Sequence, residues 1–259
     1  MGADNPAVMQ YRELGKSGIA VSVLGLGTVK LGRNTAVEYP RSFALPTDAE
    51  ARRLLSRAQA LGVNFIDTAP AYGTSEERLG ELLKGQRRDW IIMTKVGEEF
   101  AAGQSRYDFS PEHTITSVHR SLERLATDYL DIVLIHSDGD DEHILGHLGT
   151  LECLFDLKGQ GLIRAVGISH KSANGARLAL GAGADVIMAT LNSSMRDELD
   201  VIAEAGVQGC GVVIKKALES GHAGPESLRF VAEQAGVSSV VVGTLNPEHL
   251  TENASMLKP

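Results

Sequence analysis

Eight short apolar runs, each followed by a stretch with helical periodicity, constrain the fold of this 259-residue chain more than any other feature. The runs cover residues 23–27, 63–67, 90–94, 131–136, 164–169, 185–189, 211–215 and 238–243, and are nearly continuous in Val, Ile and Leu. Unbroken apolarity marks strands buried on both faces, as in a parallel sheet covered by helices. The helical stretches span 47–61, 75–83, a segment opening at Ser110-Pro111, 150–158, 172–180, 195–205, 225–235 and 247–257. Thr47 with Glu50 forms a capping box, and Ser110 precedes a proline at the first helical position. Parallel strands joined by helices either close into a barrel or open into a doubly wound sheet. Periodicity alone leaves two half-barrels or an open sheet as alternatives. Eight equal units in a chain near the ~250 residues of a barrel favour an α/β fold of the (β/α)8 TIM-barrel type. No linker or composition shift divides it, so one domain over residues 1–259 is expected.

Residues 10–23 form a hairpin pattern: Tyr11-Arg12-Glu13-Leu14 and Ile19-Ala20-Val21-Ser22-Val23 flank the turn Gly15-Lys16-Ser17-Gly18. Long loops follow the first, third and fourth strands, at 29–46, 97–109 and 137–149, whereas connections entering strands are short. Strand C-termini form the catalytic face of a barrel, so this asymmetry says where chemistry belongs.

A net charge of −8 disfavours nucleic acid and anionic membranes as partners, and the basic pairs Arg52-Arg53 and Arg87-Arg88 fit solvated faces. No apolar stretch approaches the ~20 residues of a membrane span. Residues 1–10 lack the pattern of a secretory signal, and Pro6 stands where an acylation motif needs Ser or Thr. Cys153 and Cys210 have neither metal-ligand spacing nor a disulfide framework; two free thiols fit a reducing cytoplasm, although a bridge between them stays open.

Polar residues cluster where three buried strands end. The second run ends in Asp67, followed by Thr68-Ala69-Pro70-Ala71-Tyr72-Gly73; Lys95 ends the third and His136 the fourth. Taken singly, each fits a rim residue, a turn or a cap. On adjacent barrel strands they converge. A lysine at the end of an apolar strand needs a charge partner, which Asp67 supplies. An ammonium beside a phenol favours phenolate and is expected to lower the Tyr72 pKa. Such a phenol gives a proton to a developing alkoxide, and a histidine polarises the carbonyl.

The segment from His136 to His143 is rich in acidic residues but lacks the calcium-loop register and the His-Glu-x-x-His pattern; His143 and His147, four apart, sit in what the sequence suggests is a solvated loop. No metal site is expected. Gly25-Leu26-Gly27-Thr28-Val29-Lys30-Leu31-Gly32 has the wrong spacing for a dinucleotide fingerprint; its glycines fit close approach of a ligand or tight packing.

The chain resembles the aldo-keto reductase superfamily. The resemblance rests on Leu14-Gly15-Lys16-Ser17-Gly18, Leu24-Gly25-Leu26-Gly27-Thr28, Asp67-Thr68-Ala69-Pro70-Ala71-Tyr72-Gly73-Thr74-Ser75-Glu76, Leu79-Gly80, Thr94-Lys95-Val96-Gly97, Leu130-Asp131 to His136, Val166-Gly167-Ile168-Ser169, and Gly243-Thr244 to Glu252-Asn253. The style of the first motifs is similar to bacterial and potassium-channel β-subunit-like members. The resemblance implies a (β/α)8 barrel with an N-terminal hairpin across its base. It also implies reduction of aldehydes or ketones with NADP(H), or with NAD(H) as the less frequent cofactor. Position by position, it implies Tyr72 as general acid, Lys95 lowering its pKa, Asp67 pairing with Lys95, and His136 orienting the carbonyl. It implies cofactor contacts at Gly27, Thr28, Asp67, Ser169, Lys216, Thr244, Glu252 and Asn253.

Several positions depart from the family pattern. The carboxamide-binding Ser-Asn pair is Ser169-His170, the strand-six Gln is Met188, and the following Tyr-Asn is Leu191-Asn192. The aromatic that stacks on the nicotinamide is Lys215, followed by Lys216. The segment between strands seven and eight is short. The expected activity is hydride transfer between a nicotinamide cofactor and a small-molecule carbonyl or alcohol. The alternatives are a sugar or aldose dehydrogenase, and a nicotinamide-binding redox sensor or scaffold.

Overall fold

The computed structural model describes residues 9–257; the sequence reading of residues 1–8 lies outside them. Among the described residues there are twelve strands: β1 (Tyr11–Glu13), β2 (Ala20–Ser22), β3 (Leu24–Gly27), β4 (Phe65–Asp67), β5 (Ile91–Val96), β6 (Glu98–Ala101), β7 (Gln104–Tyr107), β8 (Leu130–His136), β9 (Ile163–Ser169), β10 (Val186–Thr190), β11 (Gly211–Lys215) and β12 (Val237–Val242). Eight of them close into a parallel barrel in the order β3-β4-β5-β8-β9-β10-β11-β12, with β12 pairing back onto β3. Helices including Asp48–Ala60, Ser75–Leu82, Pro111–Arg124 and Thr150–Gly159 intervene between successive barrel strands. This is the expected (β/α)8 TIM barrel.

The hairpin β1–β2 is antiparallel and closes the bottom of the barrel. Leu14, Ile19 and Val21 join Phe65, Met93, Ile132, Leu134, Val186, Met188 and Val213 in one buried cluster. Gly15, with φ +58°, bridges to Cys210; a Cβ there would lie 2.3 Å from the Gly209 carbonyl oxygen, so only glycine permits the contact. A larger core fills the space between strands and helices.

Interior residues set the upper layer through the two-residue period of a strand. Phe65, Met93, Leu134 and Val213 point inward. Their neighbours two residues on are Asp67, Lys95, His136 and Lys215, which therefore also point inward, one layer nearer the strand C-termini. Parallel pairing sets Asp67 opposite Met93, Lys95 opposite Leu134, and His136 opposite Ser169.

Four expectations need correction. The loop after the third barrel strand is largely a second hairpin, β6–β7. The acidic loop after β8 contains a helix, Asp141–His147, capped by the Asp140 side chain. Arg87 is not a solvated residue: it donates to the Asp131 carboxylate at 2.8 Å, which also accepts from Arg164 (2.7 Å) and from the Ile92 amide (3.0 Å). The helix expected at 195–205 runs instead over Leu199–Gln208, because the Asn192 side chain takes the Ser194 and Met195 amides into a turn. Both cysteines are buried and free.

Candidate active site

A cavity of about 380 Å³ opens at the strand C-termini. Asp67, Tyr72, Lys95 and His136 all line it. The Lys95 ammonium pairs with the Asp67 carboxylate and donates to the Thr68 carbonyl (3.0 Å) and to the Tyr72 hydroxyl (3.1 Å). The Tyr72 hydroxyl in turn donates to Asp67 Oδ2 at 3.3 Å. Lys95 is 1% exposed, so this polar set compensates a charge deep in an apolar barrel.

Tyr72 reaches the set from the 3-10 turn Pro70–Tyr72, where Pro70 fixes the first residue. Gly32 holds that turn by close approach: a Cβ on it would lie 2.3 Å from the Tyr72 carbonyl oxygen and 2.2 Å from the Ser75 amide nitrogen. Glu76, in the following helix, accepts from Thr94 Oγ1 at 2.6 Å, tying the turn to the strand that carries Lys95.

The expected lowering of the Tyr72 pKa is not found. Burial, followed by the nearby charge of Asp67, pushes the phenol well above its ordinary value. The ammonium at 3.1 Å does not reverse this, because Asp67 shares it. Tyr72 is a protonated donor throughout the neutral range.

Glu98 is a site residue that sequence reasoning missed. Its Oε2 lies 2.9 Å from His136 Nδ1, and its Oε1 accepts from Ser105 at 2.6 Å with Arg33 Nη1 3.8 Å away. Burial alone would raise its pKa; the contacts to His136, Ser105 and Arg33 overcome that and hold it at about 2. A carboxylate this close to Nδ1 favours a proton there, although the contact is an ion-pair approach and not a well-aligned hydrogen bond, and leaves Nε2 as the other ring nitrogen of a residue lining the cavity. Burial lowers the His136 pKa, with Glu98 opposing and Lys95 assisting. Arg33 further stacks on Phe100 (3.6 Å) and donates to the Ala71 carbonyl (3.0 Å), so β6 and the Tyr72 turn are braced together. The signal for Glu98 in the sequence was only its place three residues after Lys95, within a segment that looked like a loop.

The residues expected at a cofactor separate into two groups. Gly27, Asp67, Ser169 and Lys216 line the cavity. Thr28 does not: its hydroxyl donates to the Asp67 carbonyl (2.8 Å) and accepts from Ser75 (2.8 Å), so it is a brace beneath the floor. Thr244 Oγ1 accepts from the Asn246 amide at 3.1 Å, at the start of the helix Pro247–Met256, and neither it nor Glu252 nor Asn253 lines the cavity. Residues 36–39, also unforeseen, cross the mouth: Glu38 pairs with Lys216 at 2.8 Å, and the Lys30 ammonium sits 4.0 Å over the Tyr39 ring. Lys215 donates to Ser169 Oγ (2.9 Å) and the His170 carbonyl (2.7 Å), while the His170 ring faces Glu198 at 2.8 Å. Asn192 braces Lys216 by donating to its carbonyl at 3.1 Å.

In the acidic segment after His136, Asp141 accepts from Ser172 Oγ (2.7 Å) and from the Ser172 and Lys171 amides, which makes it a helix anchor. Among the described residues, no three His, Cys, Asp or Glu side chains group as a metal site, and no helix is long and apolar enough to cross a membrane.

Comparison with known proteins agrees with the barrel fold. A family model described as the aldo/keto reductase family matches residues 23–224. The chain is 33% identical over 165 residues to an uncharacterised oxidoreductase, YqkF, of Bacillus subtilis, covering 62% of this chain and 49% of that protein. It is 33% identical over 210 residues to the NADH-specific methylglyoxal reductase of Escherichia coli, covering 74% and 62%. The chain thus spans about half to two thirds of the length of these curated relatives. A crystal structure from Pseudomonas aeruginosa, provisionally assigned as an aldo-keto reductase, superposes with a TM-score of 0.89 at 48% identity, covering 96% of this chain and 94% of that one. The aldo-keto reductase AKR11C1 of Bacillus halodurans, solved in a holo form, gives 0.84 at 26% identity, covering 97% and 91%.

Proposed function

Since the chain belongs to the aldo/keto reductase family, we propose that it catalyses hydride transfer between a nicotinamide cofactor and a small aldehyde or ketone, or the corresponding alcohol. The observation that carries this is the Asp67–Lys95–Tyr72 contact set at the wall of the cavity, with His136 across from it. The cavity fits the cofactor's reactive end: it offers the Ser169 hydroxyl, an apolar wall of Met188 and Val241, and lysines at 30, 171, 215 and 216 in a chain that is acidic overall. Ser169 and Lys216 are the residues assigned to hold it, with Thr244, Glu252 and Asn253 beyond the cavity toward the last helix. When bound, the nicotinamide supplies the hydride.

The chain's own residues manage the proton. Tyr72 Oη gives its proton to the oxygen that becomes the alcohol. The Lys95 hydrogen bond stabilises the phenolate left behind, and Asp67 holds Lys95 in place. His136, held by Glu98, orients the substrate oxygen against Tyr72. Reversal of the same steps oxidises an alcohol. The preferred cofactor in this reading is NADP(H), with NAD(H) also accepted, as the name of the Escherichia coli relative suggests. The two free thiols suit a reducing compartment, and the cytoplasm is the proposed location. Incubation with NADPH or NADH and a panel of small aldehydes, ketones and aldoses tests the proposal. Loss of nicotinamide absorbance with at least one carbonyl compound is expected. Cofactor binding without turnover on any member of the panel would favour a sensor.

A further inference from the structure

Lys215 stands where the family pattern has an aromatic residue, and the structure gives it surroundings that a stacking platform would not need. We propose that the Lys215 Nζ is a nucleophilic amine that forms an imine with small aldehydes entering the cavity, a reactivity separate from hydride transfer. The idea rests on the reading that carbonyl compounds reach this cavity.

The geometry comes first. Lys215 ends β11 with its side chain directed into the barrel and lining the same cavity as Tyr72, Lys95 and His136. Its Nζ has two protein acceptors, Ser169 Oγ at 2.9 Å and the His170 carbonyl at 2.7 Å. Two acceptors use both N–H bonds of a neutral amine and leave its lone pair for an electrophile. Among the described residues, no carboxylate pairs with Lys215, in contrast to Lys95 on Asp67 and Lys216 on Glu38. Glu198 is spent on the His170 ring and the Thr190 amide.

The electrostatics agree. The charged groups facing Lys215 are Lys171 beyond β9, Lys95 on β5, Lys216 beside it, and Glu198 at the start of the preceding helix Leu199–Gln208; His136 on β8 lies close enough to feel its charge. Burial, then repulsion by Lys171, lowers its pKa to about 7, with only Glu198 opposing. Desolvation and neighbouring cations are how proteins activate a lysine for imine chemistry. At pH 7 such an amine is about half neutral, against roughly 0.04% for a lysine at its ordinary pKa of ~10.4.

The chemistry balances without an added oxidant or reductant. The Nζ lone pair bonds to the aldehyde carbon, and the carbonyl π pair moves to oxygen. A proton passes from nitrogen to oxygen to give the carbinolamine. The nitrogen then expels the hydroxyl, protonated by solvent, as water, and loses its last proton to leave the C=N bond. The products are one imine and one water per aldehyde.

The test traps that imine without any nicotinamide present, so it stands apart from the reductase assay. The full-length protein is incubated with propanal and cyanoborohydride at several pH values, digested, and its lysines are quantified by mass spectrometry. At pH 7, Lys215 should be propylated at least about tenfold faster than Lys84 and Lys16, both solvent-exposed. Its labelling rate, corrected for the pH dependence of cyanoborohydride itself, should level off above about pH 7, whereas that of a free alkylamine continues to climb toward a pH of ~10. In Lys215→Arg the total fast-phase adduct should disappear, with an unchanged thermal melt showing that the fold persists. Equal labelling of Lys215 and Lys84, or a fast adduct that moves to Lys171 or Lys216, would overturn the proposal. Fast labelling of Lys215 in a protein that turns over no carbonyl compound would uphold this inference and reject the reductase reading; turnover without labelling would do the reverse.

Discussion

A phenol whose pKa lies well above its ordinary value keeps its proton at neutral pH, which suits an acid and hinders a base. The proposed chemistry therefore has a direction. Carbonyl reduction should hold its rate from pH 7 to pH 9, whereas alcohol oxidation, which needs Tyr72 as phenolate, should rise steeply on the alkaline side. Steady-state rates in both directions check this; a parallel pH profile for the two would contradict it. Glu98 carries a second consequence. Its folded-state pKa of about 2 lies below the ordinary 4.5, so its contribution to stability is fully present above about pH 4.5 and is lost as pH falls toward 2. Glu98→Gln should cost roughly 2–3 kcal/mol at pH 7, and the gap to wild type should narrow below about pH 4.5 and close as pH falls through about 2 in denaturant titrations. A gap that stays constant across that range would mean the carboxylate charge is not what matters. Asp67, Lys95 and His136 were legible because each ends an apolar run, and Tyr72 because it follows one closely. The rise in the Tyr72 pKa was not, because it depends on how completely Asp67 and burial offset one ammonium, and no spacing encodes that balance.

At the level of elements, strands and capped helices were readable and long loops were not. Thr47 and Glu50 make the expected capping box, and Ser110 caps the helix Pro111–Arg124. Periodicity fixed those segments because their apolar faces are buried. Residues 97–109 carry few apolar side chains, and their hairpin is held by pairing between Glu98 and Tyr107 and by Phe109 under Gly97, contacts that only the fold creates. The same limit hid Glu98 and residues 36–39. The start of the last helix shows the other side of the problem. Thr244 was expected to contact the cofactor, but its hydroxyl is engaged with the Asn246 amide, and Asn246 caps the helix. A helix N-terminus favours an anion in general, yet Gly243, Leu245 and His249 bring no fixed positive charge to this one, and its Glu248 amide is already taken by Asn246. Without a charge-assisted contact, NADPH should lose roughly 1.5–3 kcal/mol of its advantage over NADH. Leu245→Arg should tighten NADPH about tenfold or more and leave NADH nearly unchanged in fluorescence titrations. Unaltered NADPH affinity in that variant would place the 2′-phosphate elsewhere.

Across the whole molecule, the barrel sets the site by register; its eight strand–helix units were plainly written in the sequence, and their number together with the chain length favoured a closure that periodicity alone left open. Eight equal units leave few other ways to bury both faces of every strand. What the pattern did not show is how distant segments are fastened. Asp131 lies fully buried on β8 and gathers Arg87, Arg164 and the Ile92 amide, joining β5, β8 and β9 at the end remote from the cavity. Asp131→Ala leaves the part-buried Arg87 without its carboxylate and should cost about 3–5 kcal/mol in urea unfolding. A loss under about 1 kcal/mol would show that the barrel does not depend on this fastening. The account stands or falls on Tyr72 as the group that delivers the proton. The most direct measurement is the single-turnover decay of nicotinamide absorbance with a carbonyl substrate, in wild type and in Tyr72→Phe, alongside the cofactor dissociation constant of each. The expected result is a rate about 10²–10⁴-fold lower in Tyr72→Phe with cofactor affinity nearly intact, because the ring still fills its place and only the hydroxyl is gone. A variant that reduces the carbonyl at a rate near that of wild type would contradict it.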